Sequence, residues 1–159
     1  MKDVTTLAVI EASAIRRFLG GFALLGSAVL LFLAAFNSVE NPLWQAVVAM
    51  LGVGVLVVTD KFRRATARRI ELTSAGLFED DGTCVVKLQD VASVERGMLA
   101  FKPSNGFVIH TTAPTSPVWR PGLWWRFGTR VGIGGVVSQG QSRFMVDTLE
   151  QLVRDSDQL

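Results

Sequence analysis

The chain is poor in the residues from which most catalytic and metal sites are assembled. Among 159 residues there is one cysteine, Cys84, and one histidine, His110. A lone cysteine excludes an intramolecular disulfide and any metal site resting on paired thiolates. In a strand such a residue serves as a small buried hydrophobe. A single histidine cannot be both part of a ligand cluster and a catalytic base, and no motif places a Ser/His/Asp set. The expectation is a protein that is not an enzyme and that holds no cofactor or metal. The net charge is only +2, too little for a chain that coats nucleic acid, so nucleic acid is not an expected partner. Charge is also absent locally: between Phe18 and Val58 the only charged residue is Glu40.

That gap in charge defines the first half of the chain. Phe18 to Phe36 gives an uncharged apolar run long enough for a transmembrane helix, and Leu43 to Thr59 a shorter one; about 17–20 apolar residues cross a bilayer core. The connecting loop, residues 37–42, is so short that the second helix must return alongside the first. Basic residues flank the pair on one side only. Lys2, Arg16 and Arg17 precede it, and Lys61, Arg63, Arg64, Arg68 and Arg69 follow it. By the positive-inside rule both termini are expected in the cytoplasm, with the protein in the inner membrane. A cleaved signal peptide is disfavoured, because the first run is long, no small-x-small cleavage site follows, and the second basic cluster opposes export.

Small residues recur at helical spacing in the two runs: Gly20, Ala23, Ser27 and Ala34 in the first, Ala49 and Gly52 in the second. Such faces let membrane helices approach closely, either each other or the helix of a partner or second copy. Gln45 lies near the outer end, and no ionisable group lies mid-span, so the hairpin reads as an anchor and not as a transport path.

From residue 70 onward the pattern becomes short strands with turn signals between them. Arg69 to Thr73 alternates, Ser74-Ala75 turns the chain, Asp81-Gly82 marks a hairpin, and Val91, Val94 and Leu99 to Phe101 outline an irregular strand. Ser104-Asn105-Gly106 marks a further hairpin. Ala113 to Phe127 reads as a Pro- and Trp-rich loop, and Arg130 to Val137 as a glycine-rich last strand. Ser142 is a candidate N-cap for a final amphipathic helix, whose apolar face is Phe144, Met145, Thr148, Leu149, Leu152 and Val153. Residues 1–17 stay open between an interfacial helix, a strand added to the domain, and a tail. The organisation expected is therefore residues 1–17, helices 18–36 and 43–59, a basic linker 60–69, and a domain 70–159.

Ile70-Glu71-Leu72-Thr73-Ser74-Ala75-Gly76-Leu77, followed by Leu88-Gln89-Asp90-Val91, has the form strand, L-T-x-x-G-L turn, strand, L-x-D-V entry to a third strand. On these residues, and on the order of elements, the chain resembles the bacterial pleckstrin-homology-like membrane proteins, over residues 43 to 155. The resemblance implies a bent antiparallel sheet of six or seven strands capped by a C-terminal helix. It also implies a role in binding or assembly at the membrane; one branch of such proteins assists assembly of photosynthetic membrane complexes.

Candidate contact residues follow from chemistry. Trp119, Arg120, Trp124, Trp125, Arg126 and Arg130 combine rings that favour the membrane–water interface with guanidiniums that meet phosphates bidentately. Membrane contact, core packing and a protein interface all remain open for them. Lys61, Arg63, Arg64, Arg68 and Arg69 set topology and could also select anionic lipid. Glu79-Asp80-Asp81-Gly82 lacks calcium-loop spacing and reads as a turn. Gly132-x-Gly134-Gly135 lacks the strand–helix context of a phosphate loop and reads as close backbone approach. The functional expectation is a membrane-anchored scaffold, assembly factor or accessory subunit of a larger complex, or else a module that binds anionic lipid. Its partners would be membrane lipids and a membrane protein or second copy.

Overall fold

The computed structural model describes residues 6–37, 41–95 and 105–156. Two helices dominate the first half: α1, Ala14–Asn37, and α2, Pro42–Ala65, each of 24 residues and so about 36 Å long. Asn41 caps α2 by accepting the Leu43 N–H at 2.9 Å, with Pro42 at the first helical position, where its missing N–H costs nothing. At the other end Thr66 closes the helix, its hydroxyl donating to the Phe62 carbonyl at 2.8 Å. Along the seam Ala28 and Ala35 of α1 are buried, and Gly52 of α2 accepts the ring of Phe32, whose Cζ would lie 3.1 Å from an added Cβ. Outside the seam the hairpin is bare hydrocarbon, with Phe18, Phe22, Phe36, Leu43 and Met50 each about 70% exposed. The most apolar stretches of α1 and α2 are only 11% and 6% buried, and both helices are long and apolar enough to cross a membrane. α2 continues past residue 59, so Lys61, Arg63 and Arg64 stand on its last turns and not in a linker.

Among the described residues seven strands make two antiparallel sheets. The first is ordered β1-β2-β3-β4, from Ala8–Glu11, Arg69–Thr73, Gly76–Glu79 and Cys84–Lys87. The second is β5-β6-β7, from Val91–Glu95, Phe107–Arg120 and Trp124–Ile133. A 3-10 turn, Leu88–Asp90, joins the sheets, and α3, Gln139–Ser156, follows β7. Strand alternation drives the core: Ile70 and Leu72 of β2 point inward to meet Leu77, Val85, Phe107, Ile109, Val131 and Ile133, all at or near zero exposure. The Thr73–Gly76 turn is built as its sequence demands. Thr73 donates its hydroxyl to the Gly76 carbonyl, and Gly76 at φ +137° lies so close to the Val86 carbonyl that no side chain fits.

Of the three possibilities for the N-terminal segment, the structure takes the strand. β1 precedes the hairpin yet pairs with β2 after it, Ile10 opposite Ile70. Ala12 then bridges Val137 beyond β7, and the Ser13 N–H reaches the Val136 carbonyl at 2.8 Å. The domain is thus discontinuous, with both flanks of the hairpin in one folded unit.

The stretch expected as a loop, Ala113 to Phe127, is instead the far half of a long hairpin. β6 runs unbroken to Arg120, and β7 starts at Trp124. Its prolines mislead because they sit where the ladder does not need their N–H. Between His110 and Thr115 β6 carries four residues against one on β7, and between Thr115 and Val118 two against one; Pro114 and Pro117 fall in these bulges. The tip, Arg120-Pro121-Gly122-Leu123, is a type II turn, with Gly122 at φ +83° and the Leu123 N–H on the Arg120 carbonyl. The helix also differs from expectation. It begins at Gln139, Ser142 lies inside it and bonds back to the Ser138 carbonyl, and the buried face is Met145, Val146 and Leu149, with Phe144 59% exposed. The strand expected at Leu99 to Phe101 lies outside the described residues.

Candidate functional site

The junction between hairpin and domain turns on Phe62, a residue set among the basic positions of α2. Its side chain is 7% exposed. A Cβ added to Gly20 of α1 would lie 2.8 Å from its Cζ, and one added to Gly122 at the β6–β7 tip 2.5 Å from its Cε2. Two glycines on distant elements therefore leave a slot for one ring. The tip is held from behind as well, because Leu123 and Gly122 accept the N–H groups of Gly134 and Val136 at 2.9 and 3.1 Å. Sequence reasoning assigned no role to Phe62 or Gly122. Pro121-Gly122 was the available signal, since it reads as a turn once β6 and β7 are taken as strands.

The Trp/Arg segment divides. Trp124 is buried at 1% exposure, and its indole N–H donates to Glu79 Oε1 at 2.7 Å. The Glu79 carboxylate, fully buried, also receives Arg120 Nε at 3.3 Å and Nη2 at 3.5 Å. Arg126 is likewise turned inward. It donates to the carbonyls of Cys84 and Val85 at 3.2 and 3.0 Å, stitching β7 to the open edge of β4, and to Ser116 at 2.9 Å. Trp125 is half-buried, with its ring against the backbone of Gly132 and 5.8 Å from that of Phe127. Trp119 remains open at 48% exposure, and Lys61 of α2 lies over its ring at 6.0 Å, within cation–π reach. Arg130 is exposed on β7 opposite His110, which pairs with Glu95 at 3.2 Å. The segment thus gathers around the junction, with Gly122 against Phe62 and the exposed ring of Trp119 beside Lys61 of α2.

The basic residues divide in the same way. Arg68 reaches Asp80 at 3.4 Å and Asp81 at 2.8 Å, and Arg69 reaches Glu11 across the β1–β2 pair at 3.3 Å. The Asp80 hydrogen bond and the Asp81 charge raise the Arg68 pKa. Hydrogen bonds from Thr83, with Arg68 nearby, lower that of Asp81. Arg63 and Arg64 share Asp60, at 3.4 and 2.7 Å. Glu79 was read with its acidic neighbours as part of a turn; the alternation Leu77 in, Phe78 out, Glu79 in is the signal that sets it apart. Cys84 is half-buried, and burial raises its thiol pKa.

Of the small residues, Gly20 and Gly52 receive Phe62 and Phe32, and Ala49 is half-buried. Ala23, Ser27 and Ala34 are exposed, away from the seam, with Ser27 donating to the Ala23 carbonyl. No family model matches the chain, and no curated protein or solved structure matches it either.

Proposed function

We propose that this chain is a non-enzymatic scaffold or assembly factor of the inner membrane, anchored by the α1–α2 hairpin, whose β-domain works at the cytoplasmic face as part of a larger membrane complex. The observation that carries the reading is the junction at Phe62: a bare apolar hairpin is clamped directly to a folded domain, with only Thr66, Ala67 and Arg68 between α2 and β2. An anchor on a loose tether would need no such slot. Spanning is supported by the exposed hydrocarbon of both helices, for which water is a poor solvent. Trp44 and Lys61 are 17 positions apart on α2, or about 26 Å, near the thickness of a bilayer core. Trp44 at one end and Trp119 beside Lys61 at the other then lie where aromatic belts form. The β1–β2 pairing supports placing both flanks of the hairpin on one side, as the arginine distribution does. Two antiparallel sheets and a final helix among the described residues support the pleckstrin-homology-like resemblance.

Gentle detergent extraction from the native membrane, affinity capture and mass spectrometry test the reading. A stoichiometric membrane-protein partner is expected. A lone chain that carries only lipid would refute the scaffold role and leave the second reading, an anionic-lipid module, which the basic end of α2 beside Trp119 favours.

A further inference from the structure

A groove of about 520 Å³ opens between the domain-proximal ends of α1 and α2, and neither the hairpin seam nor the Phe62 junction fills it. Phe18, Phe22 and Leu25 supply apolar walls, and a Cβ added to Gly21 would meet nothing within 4 Å. Arg17, in the first turn of α1, and Arg63, near the end of α2, line the same space. Their neighbours in sequence are committed elsewhere. Arg16 donates to the Val137 carbonyl at 3.3 Å, and Arg64 takes the Asp60 carboxylate at 2.7 Å. The Arg17 guanidinium has no hydrogen bond or ion pair among the described residues, and that of Arg63 has a single long one, 3.4 Å, to Asp60. The space is of the size that ligand sites take, and its chemistry is an apolar trough ending in two guanidiniums.

We propose that this groove holds one anionic phospholipid, with an acyl chain along Phe18, Phe22 and Leu25 and the phosphate held by Arg17 and Arg63. The charge complementarity selects the occupant: an apolar helix of a partner would leave both guanidiniums facing hydrocarbon, whereas a phosphodiester satisfies them. The proposal rests on the membrane reading, because only there do both parts of the groove meet their matching phase. On that reading the site gives the second functional class a defined address, distinct from the basic surface as a whole.

The test uses the full chain in nanodiscs of phosphatidylcholine with and without phosphatidylglycerol, followed by extraction into mild detergent and native mass spectrometry. One phosphatidylglycerol per chain is expected to survive extraction. Arg17→Gln and Arg63→Gln should each lower its retention about fivefold, the equivalent of about 1 kcal/mol. Gly21→Leu should abolish it by filling the trough, while Arg64→Gln, outside the groove, should leave it unchanged. Circular dichroism checks that each variant is folded. If Arg64→Gln costs as much as Arg63→Gln, attraction is diffuse and the site is refuted. A dimer without lipid, or equal retention of phosphatidylcholine, also overturns it while leaving the membrane reading intact. Failure of the wild-type chain to enter nanodiscs at all would overturn both.

Discussion

Replacing Glu79 by alanine removes the acceptor that ties the β6–β7 tip to the first sheet. Trp124 and the Glu79 carboxylate are both buried, and their bond is 2.7 Å, so its loss costs about 1.5–3 kcal/mol, as for hydrogen bonds to charged groups. Arg120 adds less. Its side chain is 41% exposed, which limits the screened pair to about 1 kcal/mol or below. The sum for Glu79→Ala is about 3 kcal/mol. Glu79→Gln keeps an acceptor for the indole and should cost about half of that, and Arg120→Ala about 1 kcal/mol. A cycle of Glu79→Ala with Trp124→Phe should return a coupling of about 1.5 kcal/mol. Denaturant unfolding of the full chain in mild detergent, followed by near-UV circular dichroism, measures all four. The reasoning fails if Glu79→Ala costs less than about 0.5 kcal/mol, or if Arg120→Ala costs more than Glu79→Ala.

Further expectations concern the junction, the N-terminal strand and the cysteine. Phe62→Ala empties the slot between Gly20 and Gly122 and should cost about 3–5 kcal/mol of docking, seen as faster tryptic cleavage at Arg68 and Arg69; an unchanged rate would show that the ring does not hold the domain. A chain starting at Ser13 lacks β1, so Ile70 and Leu72 lose the cover of Ile10 and Ala8. It should lose its cooperative near-UV transition, and a transition as sharp as that of the full chain would contradict the discontinuous domain. Cys84, with its thiol pKa raised by burial, stays protonated at neutral pH. Its proton is bound more tightly in the folded state, so the associated stability is present below the unfolded thiol value and declines as pH rises through the folded one. Alkylation by iodoacetamide should therefore be slower in the folded chain than in denaturant near pH 8 and should accelerate as pH rises; equal rates would refute this.

Sequence resolved most where the signal is local. The charge-free runs mark both helices, and Thr73 to Gly76 and Asp81-Gly82 mark turns that the structure contains, whereas Asn41 and Pro42, placed in the connecting loop, cap and open α2. It resolved least where distant segments meet. Ala8 pairs with Leu72 across the whole hairpin, and no local period records that partner. Pro114 and Pro117 carried a loop signal, and only the register slips they occupy, visible once β7 is in place, make them strand residues. The Trp/Arg segment was recognisable as a cluster, but its chemistry depends on side. Trp124 and Arg126 face inward to Glu79 and β4, whereas Trp119 faces out. Phe62 was hidden because it stands among arginines on a helix whose end was read as a linker.

The position of β1 ahead of the hairpin sets an order of events for biosynthesis. On the membrane-spanning reading, β1 is translated ahead of the hairpin and lacks its partner strand until both helices have been made and β2 has followed them. Loop closure of this length is slow to reward, and here the loop is threaded through a bilayer. A chain whose second helix fails to return would strand β2 and the remainder of the sheet on the opposite side from β1, leaving Ile10 and Ile70 without each other. On that reading a completed domain requires correct insertion, and a mis-threaded copy exposes an unfinished sheet edge open to pairing with other chains.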